Sequence, residues 1–167
     1  MFREGETLAS VEALGVRGVA FLPYHDPARD EHGQLQQINT SLEDFSTVIA
    51  AHIVALHPDV VMTHGSNGEY GHPQHKFTHR AVFAALAELQ PWRPKQVLTW
   101  CAAYPSAENV HIINQDDPAD LVVDVSPWFS QKIAAMAAHR TRHATFLRYD
   151  SSQTLEQVAG RIESFRR

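Results

Sequence analysis

A layered α/β domain with parallel strand pairing is what this sequence predicts, on three observations. The spacing of apolar residues switches repeatedly between a helical and a strand-like period. The strand-like runs are separated by helix-length stretches, as right-handed parallel crossovers require. The two loops richest in histidine, aspartate and glycine, 23–33 and 64–75, both follow strand-like runs, where parallel sheets place their sites. At 167 residues and 44% apolar content the chain has the material for one domain with a real core.

Taken in order, Leu8, Val11 and Leu14 mark a helix over 3–14 that stops at Gly15. Val19 to Leu22 is a short apolar run closed by Pro23 and reads as a buried strand. Residues 23–40 form a long polar loop. Ser41 is an N-cap, with Asp44 three residues on, for a helix carrying Leu42, Phe45, Ile49, Ile53 and Leu56, and Pro58 stops it. Residues 59–63 read as the next strand. After Gly65, Gly68 and Gly71, Pro73 opens a helix with Phe77, Val82, Phe83 and Leu86. Gln96 to Trp100 is a third strand, and 110–113 and 121–125 are further candidates. Residues 128–143 and 154–166 are predicted as helices.

Composition excludes several classes. With 14 basic against 19 acidic residues, a net charge of −5 and no run of five like charges, the chain carries no electrostatic footprint for nucleic acid or an anionic membrane. No apolar window is long enough for a transmembrane helix, and residues 1–6 lack the apolar stretch of a secretory leader. The single cysteine, Cys101, excludes an intrachain disulfide framework and fits a reducing, cytoplasmic compartment; it reads as a small buried hydrophobe. Nucleotide-binding glycine patterns are missing from every strand-to-helix turn. Eleven histidines stand out, because imidazole is recruited for metal binding and for proton transfer near neutral pH.

The densest chemical signal is Thr63-His64-Gly65-Ser66-Asn67-Gly68-Glu69-Tyr70-Gly71-His72-Pro73-Gln74-His75. His72 and His75, three residues apart across a proline-started first turn, can face one point, and His79 can share that face. That spacing suits a metal ligand beside an acid; by spacing alone it suits a solvent-exposed or capping pair equally well. His64 reads as a hydrogen-bonded structural residue at the strand end.

Pro58-Asp59-Val60-Val61 followed by Gly68-Glu69-Tyr70-Gly71-His72-Pro73-Gln74-His75 resembles the second signature of the PIG-L/LmbE-like zinc de-N-acetylases. The likeness extends to Arg3-x-x-Glu6 with Ala13-Leu14-Gly15-Val16, to Phe21-Leu22-Pro23-Tyr24-His25-Asp26, and to Lys132, Ala135 and His139 of a late helix. That late helix departs from the family pattern at Arg140-Thr141-Arg142. The resemblance implies a three-layer Rossmann-like (LmbE-like) fold with a mostly parallel sheet. It also implies a hydrolase that removes the N-acetyl group of an N-acetylglucosamine-type conjugate with Zn2+, or another divalent metal in its place.

By the same resemblance His75 is a zinc ligand, and His72 stabilises the oxyanion or protonates the leaving amine. Tyr70 covers the site and polarises the carbonyl, while Arg3 and Asp26 contact the sugar, with Asp30 competing for the second place. Each has a plainer alternative: Arg3 as a terminal charge, Asp26 as a turn cap before Pro27, Tyr70 as a core aromatic. The family's first signature, Ala-His-Pro-Asp-Asp-Glu, carries two further zinc ligands and the general base, and belongs upstream of the Arg3 helix. The chain is therefore expected to be an N-terminally truncated member, one de-N-acetylase-like domain over 1–167 without its first βαβ unit. His57-Pro58-Asp59 is no substitute, since Val60 follows and these residues enter a strand instead of leaving one. A non-catalytic remnant with weak carbohydrate binding is the alternative function, and a bare sheet edge would favour a homo-oligomer.

Overall fold

The computed structural model describes residues 2–24, 30–36, 38–105, 112–147 and 150–167. In chain order its elements are α1 (Phe2–Ala13), α2 (Leu42–Leu56), β1 (Val60–Thr63), α3 (Gly68–Gly71), α4 (Pro73–Glu88), β2 (Gln96–Trp100), β3 (Ala102–Ala103), β4 (Asn114–Pro118), β5 (Leu121–Asp124), α5 (Phe129–Ala138), α6 (His143–Phe146), α7 (Leu155–Val158) and β6 (Ile162–Arg166). The chain divides into two units, Pro23–Val123 with Glu163–Arg167 and Met1–Leu22 with Asp124–Ile162. None of the helices among the described residues is long and apolar enough to cross a membrane.

In the first unit α2 begins at Ser41, whose hydroxyl accepts the Asp44 N–H at 3.0 Å. It ends at His57, whose left-handed φ of 45° still lets its N–H reach Ile53 O; Pro58 then prevents continuation. β1 and β2 pair in parallel, Val61 beside Val97 and Thr63 beside Thr99, with α4 as the crossover between them. Ile53 of α2 and Val82 and Leu86 of α4 pack with Leu89 into one cluster, covered by Val61, Val97 and Trp92. Burying each such side chain contributes about 1.5–3 kcal/mol, which holds α2 and α4 against the β1–β2 pair.

The sheet order is β1-β2-β6-β5, and β3 and β4 form a second, parallel pair. The sheet is mostly parallel as expected; β6 is the strand that opposes β2, with Trp100 opposite Phe165. Among the described residues β1 is an edge strand, and it leaves Val60 and Met62 exposed. In the second unit α1 packs on α5, Lys132 Nζ donates to Gly160 O at 2.7 Å, and the Arg161 guanidinium lies 3.7 Å from the Phe129 ring centroid.

Four expectations are corrected. Residues 19–22 form no strand: Val19 and Phe21 are exposed and no ladder is formed there, and an apolar run without a neighbouring strand gains nothing from extended pairing. The expected helix over 154–166 is one turn, α7, followed by a break at Gly160 and the strand β6. The expected helix over 128–143 is a 3-10 turn at Ser126–Trp128, then α5, which closes at His139. The strand expected at 110–113 lies partly outside the described residues, and its described end, Ile112 and Ile113, precedes β4 instead of forming it.

Candidate active site

Where β1 ends, the chain turns through Gly65 and Gly68 into α4, and this loop carries the chemistry. Gly65 packs so closely on the Asn114 side chain that a Cβ there would overlap the carboxamide. Gly68 takes φ +66° against His75 and Lys76, a conformation that costs glycine nothing. Glu69 has φ 62° and ψ −56°, which L-residues rarely adopt, at a cost on the order of 1–3 kcal/mol. Its contacts hold it there.

Glu69 is buried, and its carboxylate is the hub of the loop. Oε2 accepts from His64 Nδ1 at 3.0 Å and from His75 Nδ1 at 2.5 Å. Oε1 accepts from Gly65 N–H at 3.0 Å and from Asn114 Nδ2 at 3.4 Å. The Glu69 N–H returns to Asn114 Oδ1 at 2.9 Å. Asn114 is fully buried, and its Nδ2 also donates to Trp100 O at 3.0 Å and Cys101 O at 3.3 Å. One carboxamide thus ties the ends of β2 and β4 to the loop. Alongside it, Asp117 accepts from Ser66 N–H and Oγ at 2.7 and 2.9 Å and pairs with Arg166 at 3.0 Å.

Burial alone would raise the Glu69 pKa, but the hydrogen bonds from His64, His75 and Gly65 outweigh it and hold the carboxyl well below the usual glutamate range. A depressed folded pKa means that this stabilisation is complete above the unfolded value and is lost as pH falls below it. Resistance of the metal-free protein to denaturant is therefore expected to decline progressively from about pH 4.3 downward. Glu69→Gln should lack that part of the slope, which urea titrations across pH 3 to 6 (roughly the range bracketing that value) will read.

Around the hub the imidazoles gather. His64 and His75 stack with centroids 4.0 Å apart at 13°, and His72 tilts against His75 at 4.4 Å. Tyr70 stands edge-on to both His72 and His75, at 5.6 and 5.5 Å. It is 58% exposed, so the core alternative for this residue fails and it lies over the imidazoles. His79 Nδ1 donates to the His64 carbonyl at 2.8 Å and its ring lies against Phe83, so this third histidine ties α4 to the end of β1. The structure thus brings His72, His75 and Tyr70 together. Arg3 belongs to the other unit, where with Glu6, His139, Thr141 and Arg142 it lines an open cavity of about 310 Å³. Glu6 accepts there from Thr141 N–H and Oγ1, at 2.9 and 2.6 Å. Asp26 lies outside the described residues; Asp30, its competitor, accepts from His32 N–H and Gln34 N–H as an ordinary turn residue. Cys101 is half-buried with φ 55°.

Sequence reasoning missed Glu69 and Asn114. Glu69 had one signal, a carboxylate between two turn glycines and next to the histidine pair. Asn114, 45 positions from Glu69 in the chain, had none.

His64, Glu69 and His75 are ligand types for a borderline cation, and their donor atoms all lie within 4.8 Å of one another. A histidine whose Nδ1 is held by a carboxylate is prepared to offer its other nitrogen, so the donor chemistry fits zinc. A second cavity, of about 170 Å³ beside the first turn of α4 between Thr40, Gln74, Phe77 and Arg80, is below the usual range for a ligand pocket and does not by itself mark a substrate site.

The fold and this loop together define an α/β protein with an imidazole-carboxylate centre at the carboxyl ends of its parallel strands. The family model described as PIG-L, GlcNAc-PI de-N-acetylase, matches residues 1–86, and the chain belongs to that family. Its relatives include proteins named 1D-myo-inositol 2-acetamido-2-deoxy-alpha-D-glucopyranoside deacetylase. That of Mycobacterium sp. (strain KMS) is 32% identical across 84% of this chain and 54% of its own length. The Mycolicibacterium smegmatis protein is 32% identical across 84% and 59%, and that of Thermomonospora curvata 30% across 84% and 60%. The chain therefore spans little more than half the length of these relatives. In fold it is similar to the conserved protein TT1542 from Thermus thermophilus, with a TM-score of 0.60 at 19% identity over 99% of this chain and 72% of the other.

Proposed function

We propose that the protein is an amide hydrolase that removes the acetyl group from an N-acetylglucosamine-type conjugate, with zinc or another divalent metal as cofactor. The observation that carries this reading is the contact of Tyr70, His72 and His75 over a carboxylate-anchored loop, in a chain of the PIG-L family. His75, held at Nδ1 by Glu69, is the residue of this chain that would hold the metal. The chemistry a bound zinc supplies is Lewis acidity, which activates water and polarises an acyl oxygen near neutral pH.

His72 stands next to His75 at the cap of α4, while the Glu69 carboxylate anchors His75. As imidazolium it donates to the oxygen that gains charge when water attacks the acetamide carbon. When the C–N bond breaks, that proton passes to the nitrogen; of the two protons the attacking water gives up, one restores the His72 imidazolium and the other goes to solvent, as acetate and a free amine leave. Tyr70, exposed and edge-on to both rings, closes over the acyl group and excludes bulk water. The relatives' names make an inositol glycoside of 2-acetamido-2-deoxyglucose the first substrate to try.

The test is acetate release from that glycoside and from free N-acetylglucosamine, with and without added zinc. Metal-dependent release that stops in His75→Ala supports the reading. Binding of the glycoside without release supports the non-catalytic alternative, and neither binding nor release overturns both.

A further inference from the structure

We propose that Glu69 is a positioning residue that holds the proton of His75 on Nδ1 and so reserves His75 Nε2 for the metal, while His64 serves as a brace for that ring and not as a second ligand. This rests on the reading above for the metal; the orienting contact itself stands on geometry. The Glu69 carboxylate can only accept, and its other oxygen already receives Gly65 N–H and Asn114 Nδ2. Each imidazole bonded to Oε2 must therefore carry its proton on Nδ1, which leaves the lone pair on Nε2. The carboxylate in turn cannot swing away, because Asn114 grips both its oxygen and the Glu69 backbone.

Three nearby residues of ligand type suggest a three-ligand cation site, and the ring geometry argues against one. Imidazole lone pairs lie in the ring plane. His64 and His75 are stacked within 13° of parallel, with centroids 4.0 Å apart. Two stacked rings so nearly parallel share no plane, so an ion lying in the plane of one ring, where its lone pair points, lies off the plane of the other. One ion cannot take both rings as placed. His64 is further fixed by Trp100, edge-on at 4.7 Å, and by the His79 bond to its carbonyl. Its place in the loop is to stack on the ligand and share the anchor.

The readouts are the ring-nitrogen spectra of 15N-labelled, metal-free protein and the affinity for zinc by competition with a chelating dye. Wild type is expected to show the Nδ1–H tautomer at His64 and His75. In Glu69→Gln the amide oxygen stays with the two fixed donors, Gly65 N–H and Asn114 Nδ2, so the N–H₂ faces the imidazoles and turns their Nδ1 into an acceptor. The Nδ1–H signature should be lost, and zinc affinity should fall about 10- to 100-fold, as for other carboxylates behind a histidine ligand. Glu69→Asp should restore part of both. His64→Phe keeps the stack and should leave zinc affinity within about threefold, a small change beside the loss expected when a ligand goes. A wild-type His75 protonated on Nε2, or Glu69→Gln with tautomer and affinity unchanged, overturns the positioning role. A His64→Phe loss of zinc as large as that of His75→Ala makes His64 a ligand and overturns the brace. If wild type refuses zinc while the Nδ1–H signals persist, the orienting contact stands and the metal reading of the proposed function falls.

Discussion

His72→Ala is expected to keep zinc and lose turnover, roughly 100- to 1,000-fold, by comparison with the deletion of a single oxyanion donor. His75→Ala is expected to lose zinc and turnover together. The contrast follows from two imidazoles with centroids 4.4 Å apart that are anchored differently. His75 is built into the first turn of α4 with Nδ1 on Glu69, so its remaining nitrogen has a fixed direction. His72 sits at the cap with extended backbone angles, φ −63° and ψ 123°, and meets the edge of Tyr70. Metal content and acetate release measured on the same preparations decide the matter. Equal zinc loss in both variants would make both residues ligands, and unchanged activity in both would remove this loop from the chemistry altogether.

The largest effect on stability is expected at Asn114. Truncation to alanine strips the partner from the Glu69 N–H and the carboxamide donor from the Trp100 carbonyl, at the junction of β2, β4 and the loop, while the Cys101 carbonyl keeps the backbone N–H of residue 114. Each buried polar group left unsatisfied costs about 1–3 kcal/mol, so a loss on the order of 3 kcal/mol or more is expected, a large share of the roughly 5–15 kcal/mol that holds a domain folded. Gly65→Ala attacks the same place from the other side by pushing a methyl into the Asn114 carboxamide, at about 1–3 kcal/mol. Because one clash is relieved by the other truncation, the double variant should be destabilised by clearly less than the sum of the singles. Urea unfolding of the four proteins measures this, and strict additivity would mean that the loop and the strand junction are not coupled.

What the sequence made legible is whatever local chemistry dictates. Ser41 with Asp44, Pro58, and Pro73 at a first turn set helix boundaries within a few residues, and the run Gln96–Trp100 could hardly be anything but a strand. The pairing of His72 with His75 followed from helical spacing and Pro73. Where tertiary partners decide, local signals misled. Leu155, Val158, Ile162 and Phe165 fall at helical intervals, yet Gly160 splits them and the vacancy between β2 and β5 recruits the second half as a strand. Val19 to Leu22 has strand composition, but composition forms no ladder without a neighbour. Glu69 was hidden because its role depends on a backbone conformation that residue type does not announce, and Asn114 because its partners are remote in sequence.

The position of β6 has a consequence for how the protein is made. Among the described residues, the strand lodged in the middle of the sheet, between β2 and β5, comes from residues 162–166, which are synthesised after the other three strands of that sheet. On the ribosome β1, α4 and β2 can assemble as soon as they emerge, because their contacts are close in sequence. The open side of β2, and the whole of β5, must wait for β6. During that interval the nascent chain presents two open β edges, the kind of surface that chaperones shield and that pairs wrongly with a neighbouring copy. Nascent chains arrested before residue 162 should therefore associate with holdase chaperones far more than chains in which residue 167 has cleared the ribosome.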